Sequence, residues 1–225
     1  MHKKLLTPKT IKPKKFIDKV EFIVGSSIQF PYDNGFGDKI NKSSLGTIAY
    51  DLKPFAGYFI GLGLIHSFRQ RFEISGRILW ERKGYIEETS SFQPNTTLKE
   101  VDETKNEYIT FLLKPSVFLG VTKKFQIFSG FYYSLLSNSF RQETLYVNRQ
   151  ITQVSSTTNN PILSNHDLGV LVGCGYQFYL SQRNQLGIQF QGNYGLSELI
   201  NINTLIIKNN SLYLMVSLKH NRSKN

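Results

Sequence analysis

Two groups of residues in this 225-residue chain are of types that do chemistry. The first is "SNHD" (164–167), where Ser164, His166 and Asp167 offer a hydroxyl, an imidazole and a carboxylate. A serine hydrolase uses such a set: the imidazole takes the hydroxyl proton and the carboxylate orients the ring. A histidine at the end of a strand is more often simply solvated. No HExxH, GxSxG or P-loop pattern accompanies this one, so the chain reads as a non-enzyme. The second group is Glu73, Arg77, Glu81 and Lys83, joined by Lys114. The four are an even number of positions apart in extended sequence, which sets them on one face of a strand. Such a row either meets water or forms an enclosed network in which every charge needs a partner. Asp33, Asp38, Asp102 and Glu103 are carboxylates whose spacing fits no calcium loop, and no cofactor or metal is expected. The one cysteine, Cys174, excludes an internal disulfide and a cysteine-based metal site.

The elements that carry these residues are strands. "HDLGVLVGCGYQF" (166–178) sets Leu168, Val170, Val172, Cys174, Tyr176 and Phe178 on one face and Asp167, Gly169, Leu171, Gly173, Gly175 and Gln177 on the other. That period of two marks a two-faced strand. Seven more stretches read the same way: 18–30, 55–68, 71–85, 108–121, 125–136, 185–196 and 211–220, with the facing of 125–136 ambiguous. Aromatic content of 13% and 17 glycines suit such a protein. No apolar run reaches the length of a transmembrane helix.

The connections alternate. Those after the second, fourth and sixth strands are short; those at 31–54, 86–107, 137–165 and 197–210 are long. In an antiparallel meander this gathers the short turns at one end and the long loops at the other, as in an outer-membrane barrel. The expected fold is therefore all-β: an eight-stranded antiparallel up-and-down transmembrane β-barrel with short periplasmic turns and long external loops. Glycine, Gln and Asn on the polar face favour a narrow lumen, where small residues leave room for large ones; a water-facing surface gains nothing from strand glycine. Glu73, Arg77, Glu81, Lys83 and Lys114 then form a lumen charge network. Tyr58, Trp80 and Tyr176 lie where interfacial aromatics belong. Arginine at inward-facing Leu171 is expected to be milder than at lipid-facing Val172. The alternative is a soluble eight-stranded barrel whose apolar face binds an apolar ligand. Less favoured again is a lipid-modifying outer-membrane enzyme using the 164–167 set.

The net charge of +11 is concentrated at the ends. "MHKKLLTPKTIKPKKFIDK" holds seven lysines and one acid. No aromatics are interleaved with these lysines as a stacking platform for nucleic acid would need, so no nucleic-acid partner is expected. The expected organisation is a basic tail over 1–17, the barrel over 18–220 and a short tail over 221–225. No apolar run follows the basic N-terminus, so the export signal is expected upstream of Met1, or removed.

The segments "GYFIGLGLIHSFRQRFEISGRILWERKGY", "FQIFSGFYYSLLS", "HDLGVLVGCGYQF" and "LGIQFQGNYGLSELI" together resemble the PorT-like outer-membrane β-barrel family known from Bacteroidota. The resemblance spans most of residues 20–220 and rests on glycine, aromatic and alternating positions. It implies an eight-stranded barrel in the outer membrane, a lipid bilayer as partner, and an accessory role in secretion or envelope assembly. Such a barrel is an anchor or interaction platform, because eight strands leave an interior filled by side chains. A protein partner is then expected at the external loops or the basic periplasmic tail. The loop 137–165, with Phe140, Tyr146 and Ile151 among polar residues, is the candidate contact. Its "RQETLYVNRQITQVSS" is expected to continue the fifth strand as a hairpin with an exposed edge.

Overall fold

The computed structural model of the protein describes residues 17–33, 41–43, 46–68, 71–93, 96–158, 164–197, 200–202 and 205–221. Its elements are all strands: β1 (Lys19–Asp33), β2 (Asn41–Ser43), β3 (Gly46–Lys53), β4 (Phe55–Phe68), β5 (Phe72–Gln93), β6 (Thr96–Leu119), β7 (Phe125–Val147), β8 (Gln150–Thr158), β9 (His166–Tyr179), β10 (Asn184–Gly195), β11 (Ile200–Ile202) and β12 (Leu205–Asn221). Eight of them close a ring in the order β1, β4, β5, β6, β7, β9, β10, β12 and back to β1, each antiparallel to its neighbours. This is the up-and-down barrel that the alternating connections dictate.

The two faces are chemically distinct. Outward residues are apolar: on β6 they run Ile109, Phe111, Leu113, Pro115, Val117, Leu119, and on β12 Leu212, Leu214, Val216, Leu218. Inward residues are small, polar, charged or aromatic. On β7, ambiguous from sequence, Gln126, Phe128, Tyr132 and Ser134 point inward, while Ile127, Phe131 and Tyr133 point outward. A soluble barrel would bury the apolar set. Here that set is the outer surface, free of charge over the roughly 9–11 residues that a tilted strand needs to cross a bilayer. The barrel therefore spans a membrane, and the soluble alternative falls.

Glycines on the inner face let large rings lie against the wall. A Cβ at Gly169 would sit 2.4 Å from the Tyr132 ring, and one at Gly173 would sit 2.6 Å from the Phe128 ring.

The structure departs from the expected loops above the barrel mouth. Residues 86–93 and 96–107 are strand, not loop: β5 and β6 pair without interruption from Phe72↔Val117 to Gln93↔Thr96. β7 climbs past 136 to Val147 and β8 folds back on it, the hairpin expected for "RQETLYVNRQITQVSS". The β7–β8 turn places Asn148 and Arg149 at φ 50° and 69°, the backbone of a two-residue type I′ hairpin. Thr97 ties it to β6: its N–H donates to Asn148 Oδ1 at 3.0 Å, and its carbonyl accepts from Asn148 N–H at 2.9 Å. β3 pairs with the upper half of β5. The result is an external sheet, β2–β3–β5–β6–β7–β8, standing on one side of the mouth. A bulge where Glu107/Tyr108 oppose Asn138/Leu136 marks the rim. Residues 1–16 and 222–225 of the expected tails lie outside the described residues.

Candidate functional site

The lumen is built in three layers. Nearest the short turns, Glu21 accepts two hydrogen bonds from Arg77, at 2.9 and 3.0 Å. Planar guanidinium and carboxylate match in this bidentate form, which is strong and directional. Gln189 Oε1 accepts from Arg77 at 3.0 Å and from Lys114 at 2.7 Å. The Lys114 ammonium also lies 4.0 Å from the centre of the Phe128 ring. Glu73 pairs with Lys19 and, at 3.6 Å, with Lys219. Above this lies an apolar plug of Ile23, Phe59, Leu79, Leu112, Phe128, Tyr132, Leu171, Tyr213 and Met215.

The upper layer centres on Lys83. Its ammonium is 2.7 Å from Glu81 and 3.5 Å from Asp167, and lies 5.2 Å from each of the Tyr108 and Tyr132 ring centres. Glu81 also accepts from Tyr213 at 3.0 Å and from Thr110. Asp167 accepts from Asn209 at 3.0 Å and from Tyr132 at 3.2 Å. Within the barrel the buried anions Glu21, Glu73, Glu81 and Asp167 are matched in number by the buried cations Arg77, Lys83, Lys114 and Lys219. Buried charges persist only when paired and hydrogen-bonded.

Every one of the sequence-selected lumen residues, Glu73, Arg77, Glu81, Lys83 and Lys114, is buried here. Glu21, Asp167, Lys219 and Gln189 were not selected. Each occupies the inward parity of an alternating strand, so extending the alternation evenly to every strand would have found them.

The 164–167 set does not assemble. Asp167 is fully buried in the lumen, while the neighbouring His166 is exposed and stacks on Tyr133 with centroids 6.4 Å apart. Successive strand residues face opposite ways. Ser164 Oγ donates to the His166 backbone carbonyl at 3.0 Å.

On the outer wall, Tyr58 and Trp80 sit near the external rim with ring centroids 5.7 Å apart. Arg82, the one basic residue on that face of β5 near the rim, lies 5.5 Å over the Tyr58 ring and donates to Glu107 at 2.8 Å. Tyr176 is at the other end, against Phe178 at 4.9 Å.

The external sheet is held by surface ion pairs. Glu88 accepts from Lys53 at 2.8 Å and Lys99 at 2.9 Å. Partial burial raises the Glu88 carboxyl, but hydrogen bonds from the two ammonium groups outweigh it and hold the group below the usual carboxylate range. Asp102 pairs with Arg141 at 2.6 Å and Glu103 with Lys105 at 2.9 Å; the side chains of Asp33 and Asp38 lie outside the described residues. Tyr146 and Ile151 are cross-strand partners, and Phe140 stands lower on β7 opposite Thr158.

A family model described as outer membrane protein beta-barrel domain matches residues 19–201. Among solved structures, Ail, the attachment invasion locus protein of Yersinia pestis, is 10% identical, aligned over 90% of this chain and 99% of its own with a TM-score of 0.42. OprG from Pseudomonas aeruginosa is 10% identical over 92% and 97%, with a TM-score of 0.40. Neisserial surface protein A is 14% identical over 89% and 97%, with a TM-score of 0.32. Likenesses at these scores carry no argument about function. No curated protein matches the chain. A closed eight-stranded barrel with an uncharged apolar belt, matched over most of its length by that family model, is an integral outer-membrane protein, and the chain belongs to the outer membrane protein beta-barrel domain family.

Proposed function

We propose that this outer-membrane barrel is a non-enzymatic anchor whose external sheet is a platform for a protein partner. The observation that carries the reading is the edge of β8, which pairs with β7 alone among the described residues. Its sequence, "QITQVSSTT", contains no Lys, Glu or Pro, the residues with which sheet edges are ordinarily protected from further pairing. Ile151 and Val154 stand 61% and 56% exposed on it. An extended segment of a partner adds to such an edge through main-chain hydrogen bonds, and alternate side chains give specificity. Tyr146, beside Ile151, and Phe140 extend the contact along β7. The lumen is filled and the belt faces lipid, so recognition of a protein partner falls to the ends. The PorT-like resemblance narrows the process to an accessory role in secretion or envelope assembly. In this reading the basic segment 1–17 lies against the anionic periplasmic leaflet or a periplasmic partner.

Cross-linking in intact cells tests the reading. Ile151→Lys combined with Val154→Lys charges the edge without touching the lumen and is expected to abolish the cross-linked partner, while removal of residues 1–17 leaves it. The reverse result puts the working surface in the periplasm and overturns the proposal.

A further inference from the structure

The lipid-facing wall is not evenly convex. Toward the short-turn end it carries a groove of ≈ 770 Å³, lined by Phe72, Ile74, Pro115, Ile127, Ser129 and Val172 among others. That volume is in the range of about 300–1,000 Å³ typical of ligand sites.

Its origin is legible in the strands. The β6–β7 ladder runs through Leu113↔Phe131 and resumes at Ser116↔Phe128, leaving out Lys114 and Pro115. Proline has no N–H to give to the strand opposite. The register is unchanged across the gap, so Pro115 faces Ser129, a small residue among large apolar ones. The floor is thus small and the walls are aromatic or branched. Glu73 and Ser116, from the inward face of their strands, and the Ser129 hydroxyl also line it, but the surface the groove offers to the bilayer is mainly apolar. It therefore fits a hydrocarbon chain.

The rim below the groove is cationic. The short turns read "RQR" (69–71), "GVTKK" (120–124) and "LSQR" (180–183), with no acid among them. Arg71 is tied to the foot of β6, its carbonyl accepting from Phe118 N–H at 2.8 Å. Lys124 precedes Phe125, the partner of Leu119, and its carbonyl accepts from Gln177 N–H at 2.8 Å. Both residues are therefore held at the water edge of the strands that form the groove.

We propose that the groove holds an acyl chain of an anionic phospholipid from the periplasmic leaflet, with Arg71 and Lys124 meeting its phosphate. The bilayer is the medium in which this face sits, and the sign of the rim selects among its lipids.

Native mass spectrometry of the full chain in detergent micelles, titrated with phosphatidylglycerol or phosphatidylcholine of identical chains, tests the site. The wild type is expected to retain one phosphatidylglycerol in preference to phosphatidylcholine. Ser129→Phe fills the groove from an outward position and is expected to weaken retention by at least about tenfold. Val172→Phe, which narrows it from the opposite wall, acts in the same direction should the first variant fail to fold. Arg71→Gln with Lys124→Gln is expected to equalise the two lipids. Heat-modifiable gel mobility identifies the folded variants. Unaltered phosphatidylglycerol retention by folded Ser129→Phe or Val172→Phe, or no preference between the lipids in the wild type, overturns the proposal.

Discussion

Lys83 stands between Glu81 and Asp167 in a space closed to water. Replacing it by Met keeps the bulk and leaves two carboxylates without their cation. Removing one partner of a buried ion pair typically costs about 3–5 kcal/mol. Lys83→Met is therefore expected to lower the urea midpoint of the barrel in micelles by a corresponding amount. Glu21 and Arg77 make a sharper test, because both partners can be removed. Glu21→Leu or Arg77→Met alone leaves a buried charge that is imperfectly paired. The double variant is expected to recover much of either loss, since apolar replacement of a whole buried pair is often nearly neutral. Additive losses in the same unfolding measurement would show that the two side chains do not work as a pair. At Gly169 the argument is steric. Ala would push the Tyr132 ring off the wall and break its hydrogen bond to Asp167, with an expected loss of about 1–3 kcal/mol.

The strands meet three different environments along their length, and substitutions should read them out. Val172, 65% exposed in the middle of β9, faces lipid. Val172→Arg is expected to cost about 2–4 kcal/mol, against about 0–1 kcal/mol for Phe178→Arg near the rim. Leu171→Arg, milder on alternation alone, enters the packed apolar plug, where Leu171 is 3% exposed. A guanidinium there has no carboxylate at its own level, so both β9 variants should impair assembly. Above the mouth the expected dependence is on pH. The Glu88 carboxyl is held below its ordinary range by Lys53 and Lys99. Its contribution is therefore present above the unfolded value, about pH 4.3, and fades as pH falls through the lower folded value. Amide protection of β3, which Lys53 ties to Glu88, should decline below about pH 4, while that of the barrel strands β4 and β9 holds. Hydrogen exchange at several pH values resolves the two; equal loss in all three strands would contradict the assignment.

At the scale of the molecule, the apolar belt and the filled lumen together make a rigid membrane plug bearing one tall wall of sheet. Such a body should stay in the outer-membrane pellet after bicarbonate extraction and run faster on gels before boiling than after. Release into the supernatant would be incompatible with a span. Beyond the buried residues near the rim such as Tyr85 and Thr104, the described residues of the external sheet are held by surface ion pairs and cross-strand contacts, each worth a few tenths of a kcal/mol to about one. It is therefore expected to exchange and be cut by protease before the barrel does, leaving a protected fragment set from the ring strands.

What the sequence determined by itself is what local alternation encodes. Period two, with apolar residues on one side and Gly, Gln and charge on the other, defined eight strands and their two faces, because one face had to meet hydrocarbon and the other a narrow lumen. The alternation of short and long connections defined the order of pairing. The apolar alternation vanished at 86–107 and 137–158, since above the membrane the outward face meets water and the inward face is closed by polar residues such as Asp102, Thr104 and Asn106, so no apolar side is demanded. Only the pairing of β5 with β6 in space shows 86–93 and 96–107 to be sheet, whereas the hairpin over 141–156 was legible as a continuation of the fifth strand. Partnerships across the lumen were likewise decided by the closed ring: Glu21 and Arg77 are 56 positions apart, Glu81 and Tyr213 are 132 apart. Alternation already set Asp167 on the polar face of 166–178, away from His166, because adjacent residues on a strand cannot share a face; only the closed ring set it against Lys83. The groove at Pro115 and Ser129 also exists only through register, since a missing N–H on one strand matters according to which residue the neighbouring strand sets against it.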